Sequence, residues 1–458
     1  MAAGKQGLPA EVLAWVEAEV GGSIVDATRQ PGGARKQAWV IDVKRPDGSI
    51  AELFVRYDPS DPNDRADPWT LQREASVYLA LQGRGVAVPR VLSVHPVHQA
   101  MLAERMRGEN WFSRITDPAE AEATAKDFMV QLAALHRIDP RSLDIPGFPE
   151  PISVPEMVRY ELDEFESILA ARGGGEDPAL RFALGWLRAN IPAYEGPVVL
   201  VQGDTGPGNF MYGKGRVVAV VDWELAHFGD PMDDIAWLSL RAVQEPFTHL
   251  PARLAEYEVL SGHRLDLARI RYYRVMAETK LQVMRHNTRG GAASGADLGN
   301  GMIYGILHKR LWLEAMADVL ELERQEAEVP PSPEPRGHEW LYDGLLEQLR
   351  TLVVPRVEDD FARTRLKGFA RVIKHLRDVD RDGRFYEERE LDDVEAALFT
   401  RLASVSEARV AMADAHERGV IDDSAYLRYL WRRVARENEL LRSASGVLAD
   451  RHWPSLTD

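Results

Sequence analysis

The chain has 458 residues, 45% hydrophobic and 28% charged, the composition of ordinary globular domains and too long for a single core. A formal net charge of −16 argues against duplex nucleic acid or an anionic membrane as the main partner, and leans toward a cationic substrate unless a local basic pocket opposes the overall field. The lack of cysteine excludes a disulfide framework, thiolate metal sites and a cysteine nucleophile, and fits a cytoplasmic location.

Near the N-terminus Leu13, Val16 and Val20 recur among Glu11, Glu17 and Glu19, the pattern of a short amphipathic helix rather than a secretory leader. No run of about 18 apolar residues occurs, so no membrane span is expected. From about Gly22 to Arg105 the order reads strand, strand, strand, helix, strand, strand. QAWVIDV and IAELFVRYD flank KRPDGS, a turn signal that predicts a β-hairpin. DPWTLQREASVYLALQGRG places Leu71, Ala75, Tyr78, Leu79 and Leu81 largely on one side of a helix stopped by glycine, and VPRVLSVH and AMLAERM predict two further strands.

Beyond Gly108 the chain is mainly helical, with helices predicted in DPAEAEATAKDFMVQLAALHRID, VPEMVRYELDEFESILAARGGG and PALRFALGWLRANIP. PVVLVQGD then reads as an apolar strand entering a Gly/Pro loop, and RVVAVVDWE as a second strand, followed by helices to about Glu326. EAEVPPSPEPRG is a Pro-rich polar linker, and His338 to Asp458 is helix-patterned and highly charged.

The stretch VQGDTGPGNFMYGKGRVVAVVDWE carries the chemistry. Kinase-type phosphoryl transfer needs a carboxylate to receive a hydroxyl proton and oxygen ligands that reach magnesium from two directions. Asp204 and Asn209 have the five-residue spacing of that proton acceptor and its neighbouring metal ligand, and Asp222 follows a strand-like run able to fold back beside them. Asn209 and Asp222 supply hard oxygens, which suit Mg2+. A lone D-x-x-x-x-N is weak; its position between two strands, closed by DWE, strengthens it. The bland alternative is a polar hairpin with surface acids.

GDTGPGNF, VVAVVDWELAHFGDPMDDIAWL and LAALHRID resemble segments of the aminoglycoside phosphotransferase and choline kinase-like family, over roughly residues 20–325. The resemblance implies an α+β, two-lobed protein-kinase-like fold, ATP as the nucleotide with GTP as the alternative, Mg2+ as the metal and a small-molecule hydroxyl as acceptor. It makes Asp204 the catalytic base and Asn209 and Asp222 the Mg2+ ligands. Gln202 stands where the family has His, and with a donor and an acceptor it is expected to hold the loop in the same way. Arg56 falls where the family has Lys or Arg facing the α/β-phosphates, with Glu74 as its helix partner; a surface Arg and a solvated Glu are the alternative. Gly32 and Gly33, in RQPGGARKQ, would let backbone amides approach the phosphates, and Glu104 and Met106, in AERM, occupy the hinge where the backbone meets adenine. The expected division is a nucleotide-binding lobe over 1–107, a catalytic and substrate lobe over 108–325, the linker 326–337 and an additional all-helical domain over 338–458. For that last domain oligomerisation of like chains, partner docking and a lid stand as alternatives.

Other residues read as structural. Asp230 precedes Pro231 as a helix cap, Asp234 is expected to anchor the catalytic loop, and His136 reads as a buried or helix-ending histidine. DVDRDGRFYEER begins like a calcium loop with Asp378, Asp380, Asp382 and Gly383, but position twelve is Arg389, so a polar inter-helical turn is favoured over a Ca2+ site. For the acceptor, Glu161, Asp163, Glu164 and Glu166 would form an acidic wall suited to an aminoglycoside-like amine, with a solvated helix face as the favoured alternative. Lys280, Arg285, His286 and Arg289 suit a carboxylate, a phosphate or a coenzyme A thioester, as in the family branch linked to acyl-CoA dehydrogenases. The rival class is a non-catalytic kinase-like scaffold.

Overall fold

A computed structural model describes residues 7–30, 36–64, 66–174, 177–286, 297–331 and 338–457. The chain divides into two compact units, the first comprising Met1–Gly173, Trp186–Ala277 and Trp453–Asp458, the second Gly174–Gly185 and Glu278–His452.

In the first unit α1 (Ala10–Val20) leads into β1 (Ser23–Arg29), β2 (Gln37–Lys44) and β3 (Ile50–Asp58), followed by α2 (Leu71–Leu81), β4 (Val91–Val94) and β5 (Gln99–Glu104). All five strands are antiparallel, in the order β1-β2-β3-β5-β4. Alternation decides the register. Trp39, Ile41 and Val43 on one strand sit opposite Val55, Leu53 and Ala51 on the next, and all six are buried with Val12 and Val16 of α1. The expected hairpin turn closes where Asp47 Oδ1 accepts from the Ser49 amide at 2.9 Å, with Gly48 at φ 85°, a conformation that favours glycine. Thr70 caps α2 through the Arg73 amide at 3.2 Å, and that helix buries Leu71, Glu74, Ala75, Tyr78 and Leu81.

The second lobe of this unit holds α3 (Pro118–His136), α4 (Val154–Ala171), the end of α5 (Pro178–Ala189), the short strands β6 (Val199–Val201), β7 (Phe210–Gly213), β8 (Arg216–Val220) and β9 (His227–Gly229), then α6 (Pro231–Gln244), α7 (Leu250–Ser261) and α8 (Leu267–Arg285) up to Ala277; the rest of α5 and of α8 falls in the second unit. Strand β6 pairs with β9, and β7 with β8, all antiparallel. Sequence patterning anticipates β6 and β8 but not β7 or β9. NFMYG sits inside a run of Gly and Pro, and HFG is too short to show alternation.

The second unit contains α9 (Leu298–Leu320), α10 (Glu339–Gln348), α11 (Asp360–Leu398), α12 (Val405–Glu417), α13 (Asp423–Glu439) and α14 (Arg442–Ser445). Residues 322–331 form no helix or strand. The architecture is thus α+β and two-lobed, with an additional helical C-terminal part. The expected inter-helical turn at Asp378–Arg389 is corrected: it lies inside the 39-residue α11. Asp378, Asp382, Tyr386, Glu390 and Val394, four residues apart, are all buried. This stripe is helical, but three of its members are carboxylates, so the apolar period is hidden. Arg381 pairs with Asp382 at 2.8 Å and Arg409 with Glu390 at 2.8 Å, which compensates the buried charge. No helix among the described residues is long and apolar enough to cross a membrane.

Candidate functional site

Strand β6 ends in a tight loop because Gly203 has φ 80° and a Cβ there would meet Leu225 O at 2.4 Å. Asp234, fully buried at the start of α6, gathers this loop. Its carboxylate accepts from the Gln202 amide at 2.9 Å, the Gly203 amide at 3.0 Å and the Thr205 hydroxyl, and it contacts His136 Nε2 at 2.9 Å. Burial alone would raise the Asp234 pKa, but the hydrogen bond and charge of His136 and the bond from Thr205 hold it below the usual carboxylate value. His136 is a buried histidine at the end of α3, its Nδ1 2.6 Å from the Tyr257 hydroxyl. Asp230 caps α6 through the Met232 amide at 2.9 Å and pairs with Arg269 at 2.8 Å.

Asp204, Asn209 and Asp222 come together as follows. Gln202 Nε2 donates to Val221 O at 2.8 Å, and the Val221 amide donates to Asn209 O at 2.9 Å. These two bonds tie the end of β6, Asn209 and the residue before Asp222 into one corner. Asn209 Nδ2 donates to Asp204 Oδ2 at 2.6 Å and to Asp204 O at 2.7 Å. Its NH2 group is therefore committed to Asp204, and its Oδ1 is turned elsewhere, toward Arg241 Nη2 at 3.4 Å. Asp222 has φ 64°, an uncommon left-handed conformation for a non-glycine residue, and its amide donates to the Tyr78 hydroxyl at 3.1 Å.

From the sheet side, Arg56 on β3 donates to Glu74 Oε1 at 2.8 Å and to Asp222 Oδ1 at 3.0 Å. Lys36, 5% exposed and immediately before β2, reaches Glu74 Oε2 at 3.2 Å and Glu224 Oε2 at 2.5 Å. Arg73 on α2 donates to Glu224 O at 2.9 Å and Ala226 O at 2.6 Å. Glu74, Asp222 and Glu224 bring carboxylate oxygens within 4.8 Å of one another, with Lys36 and Arg56 among them. Glu104 closes β5, its carboxylate turned back to the Arg90 amide at 3.0 Å, and Met106 lies two residues beyond. Gly32 and Gly33 lie outside the described residues.

The electrostatics separate the two aspartates. Burial, reinforced by repulsion from Asp222 and offset in part by Arg241, raises the Asp204 pKa to about 6. For Asp222 burial acts in the same direction, but Arg56 and Lys36 outweigh it and hold the group below its usual value. One carboxylate is thus poised to exchange a proton near neutrality and the other stays ionised. The Asn209 amide oxygen and the Asp222 carboxylate are both hard oxygen donors, the type that a divalent cation such as Mg2+ takes.

Four contributors escaped sequence reasoning. Lys36 ends the Gly-rich RQPGGARK run, where a basic residue was the available signal. Arg73 adjoins Glu74 and Glu224 follows two after Asp222, so both sat within quoted motifs. Arg241, 3.7 Å from Asp204 Oδ2 and donating to Pro207 O at 2.9 Å, has no sequence signal, because it arrives from α6 through tertiary packing. The acidic residues of α4 do not form a wall of free carboxylates: Asp163 and Glu166 both bind Arg188, at 2.5 and 2.8 Å, and Glu161 lies 3.2 Å from His227. Lys280 is buried, His286 pairs with Asp177 at 3.7 Å, and Arg289 lies outside the described residues.

A sequence profile of the phosphotransferase enzyme family matches residues 26–273. Acyl-CoA dehydrogenase family member 11 of Rattus norvegicus is 29% identical over 214 residues, covering 44% of this chain and 25% of the rat protein. Acyl-CoA dehydrogenase family member 10 of Mus musculus is 26% identical over 208 residues, covering 41% of this chain and 18% of the mouse protein. The matches thus span a quarter or less of those relatives' lengths. Among solved structures, a macrolide 2′-phosphotransferase from Brachybacterium faecium is similar with a TM-score of 0.43 and 19% identity, covering 69% of this chain and all (100%) of the other.

Proposed function

Because this chain belongs to the phosphotransferase enzyme family, we propose that it moves the γ-phosphoryl group of ATP, or alternatively GTP, to a hydroxyl of a small molecule. The observation that carries this reading is the bridge made by Arg56, which joins Glu74 on α2 to Asp222 and so ties a nucleotide-side cation to a metal-side carboxylate. In the proposed reaction Asp204 orients the acceptor hydroxyl and takes its proton as the oxygen bonds to the γ-phosphorus and the bond to the β-phosphate oxygen breaks, releasing the nucleoside diphosphate. Asn209 and Asp222 would hold Mg2+, which when bound neutralises charge on the β- and γ-phosphates. Arg56, kept in place by Glu74, grips the phosphates, while Gln202, Thr205 and Asp234 keep Asp204 in position. Most of the rate gain in this scheme is positioning and electrostatic stabilisation.

For the acceptor we favour a hydroxyacyl-coenzyme A. Support comes from the relatives named as acyl-CoA dehydrogenase family members. An aminoglycoside-like amine is the second reading; the pairing of Asp163 and Glu166 with Arg188 weakens it. The test is calorimetric titration of ATP and GTP with Mg2+ into wild type and Asp222→Asn, followed by an acceptor screen of hydroxyacyl-CoAs against amino sugars. Mg2+-dependent binding that weakens in the variant supports the nucleotide site. No binding of either nucleotide in wild type would favour a non-catalytic scaffold.

A further inference from the structure

One cation beside Asp204 has no part in the reaction as described so far. We propose that Arg241 is a further catalytic residue, whose guanidinium binds the oxygens of the phosphoryl group as that group passes from the nucleotide to the acceptor hydroxyl. This role rests on the phosphotransferase reading of the site and adds a group to it.

Asp234, Leu238 and Arg241 follow one another at intervals of four and three and so share one face of α6. Asp234 gathers the start of the Asp204 loop, and Arg241 meets its far side. Arg241 Nε donates to Pro207 O at 2.9 Å. The glycines flanking Pro207 clear the space for this side chain. Gly206 has φ 137° and Gly208 φ 92°, both in the range that favours glycine. A Cβ on Gly206 would lie 2.7 Å from Arg241 Cβ, and one on Gly208 would run into Arg241 Nη2. The loop is thus shaped around one guanidinium.

The two terminal nitrogens of that guanidinium stand off from their neighbours. Nη1 lies 3.7 Å from Asp204 Oδ2 and 3.4 Å from Gln244 Oε1, and Nη2 lies 3.4 Å from Asn209 Oδ1. Among the described residues neither nitrogen makes a shorter bond. An arginine serving only as the counter-ion of a carboxylate closes to about 2.7–2.9 Å, often through both nitrogens. Here Asp204 Oδ2 is taken instead by Asn209 Nδ2 at 2.6 Å, and the fork of Arg241 stays open. It spans Asp204 and Asn209, the two residues that bracket the proposed transfer. One receives the hydroxyl proton, and the other would hold the metal on the phosphates. A group moving between them comes within reach of both Nη atoms. The side chains of Arg241 and Asp204 are 19% and 23% exposed, so substrate can reach them.

In the transfer the acceptor oxygen bonds to the γ-phosphorus and its proton goes to Asp204. The electron pair of the breaking bond leaves with the β-phosphate oxygen. Arg241 stays protonated throughout and exchanges no proton. Its planar fork matches two phosphoryl oxygens, and donors already fixed in place stabilise charge there without reorganising. The two arginines then divide the work. Arg56, on the sheet side, holds the nucleotide before the reaction, and Arg241, on α6, acts on the group in flight.

The experiment uses the full-length chain with Mg2+ throughout. ADP is titrated calorimetrically with and without fluoroaluminate, which stands in for a phosphoryl group in transfer, and ATP is titrated separately. Hydrolysis of Mg·ATP, with water as acceptor, gives a rate. We expect fluoroaluminate to tighten ADP at least about a hundredfold in wild type. In Arg241→Gln that gain should fall below about tenfold and hydrolysis should drop at least about a hundredfold, while ATP affinity stays within about threefold. Arg241→Lys keeps the charge without the fork and should recover part of the gain; it is the second variant in case Arg241→Gln does not fold, as judged by circular dichroism. No gain from fluoroaluminate in wild type, or an equal gain in both variants, would overturn the role of Arg241 and leave the nucleotide site standing. A parallel loss of ATP and fluoroaluminate-ADP affinity would also overturn it, reducing Arg241 to a brace for the loop. Wild type that binds neither nucleotide would overturn the phosphotransferase reading itself, and the role with it.

Discussion

Arg56 Nη2 donates to Asp222 Oδ1 at 3.0 Å across 166 positions of sequence, while its Nη1 holds Glu74 at 2.8 Å. A guanidinium makes both bonds from one rigid fork, whereas an ammonium is a point charge on a flexible stem. Arg56→Lys should therefore keep one contact and weaken Mg·ATP binding about tenfold, ~1.4 kcal/mol. Arg56→Ala should weaken it further and leave buried Glu74 facing Lys36 alone. Calorimetry checks both; unchanged affinity in Arg56→Ala would remove Arg56 from the nucleotide site.

Asp204 is held by Asn209 but is not part of the Arg56 bridge, so binding and turnover should separate. Asp204→Asn should lose at least about a hundredfold in turnover, the lower range for removing a general base, while Mg·ATP affinity stays near the wild-type value. Full turnover in this variant would sink the assignment of the base.

The raised Asp204 pKa gives a pH dependence with a definite sign. A base works ionised, so kcat/KM should fall about tenfold per unit as pH drops below about 6. For stability, an aspartate is ionised above about 3.9 when unfolded but only above about 6 in the folded chain. Between those values the folded state binds more protons than the unfolded state, so the contribution of Asp204 to stability declines as pH rises through the window. Asp204→Asn should accordingly raise the melting temperature relative to wild type more at pH 7 than at pH 4. A pH-independent difference would contradict the desolvation of this carboxylate.

The loop anchor should be costly to break. Asp234 is completely buried and binds two amides, a hydroxyl and an imidazole, so Asp234→Ala orphans all four partners. We expect a loss of about 3 kcal/mol or more, in the range for breaking a buried charged network, read by denaturant unfolding. Gln202 uses one side-chain bond, to Val221 O, which His can also donate. Gln202→His should keep activity within about tenfold, ~1.4 kcal/mol of barrier; a much larger loss would give the Gln amide a role beyond holding Val221.

The N-terminal sheet, helix α2 and the juxtaposition of Asp204 with Asn209 were legible because each rests on local order: strict alternation, an N-cap, a fixed five-residue spacing. Asp230 and Asp234 followed from their position at the start of a helix. What stayed hidden depends on contacts distant in sequence. Arg241 meets Asp204 only after α6 docks, and Lys36 meets Glu224 only after the two lobes of the first unit close on each other. The inner face of α11 was misread for a different reason: its buried carboxylates mimic the start of a calcium loop, and the neutralising arginines on α11 and α12 do not show in a hydrophobicity pattern.

Lys36 yields the last prediction. Glu74, Asp222 and Glu224 contribute three negative charges within a few ångströms, and Lys36 and Arg56 contribute two positive ones. The cluster is thus one charge short without a bound cation, and Lys36→Met leaves it two short. Lys36 is nearly fully buried, so its loss strips Glu74 of a partner that water cannot replace. We expect Lys36→Met to destabilise the chain by about 2–3 kcal/mol, somewhat below the full cost of breaking a buried pair because Arg56 remains. Millimolar Mg2+ should restore more stability to the variant than it adds to wild type, since a divalent cation supplies the missing charge. Thermal melts of both proteins with and without Mg2+ make the comparison. An equal Mg2+ response would mean that Lys36 and the metal ligands do not share one charge balance, and that Lys36 serves only to fix α2 against the DWE segment.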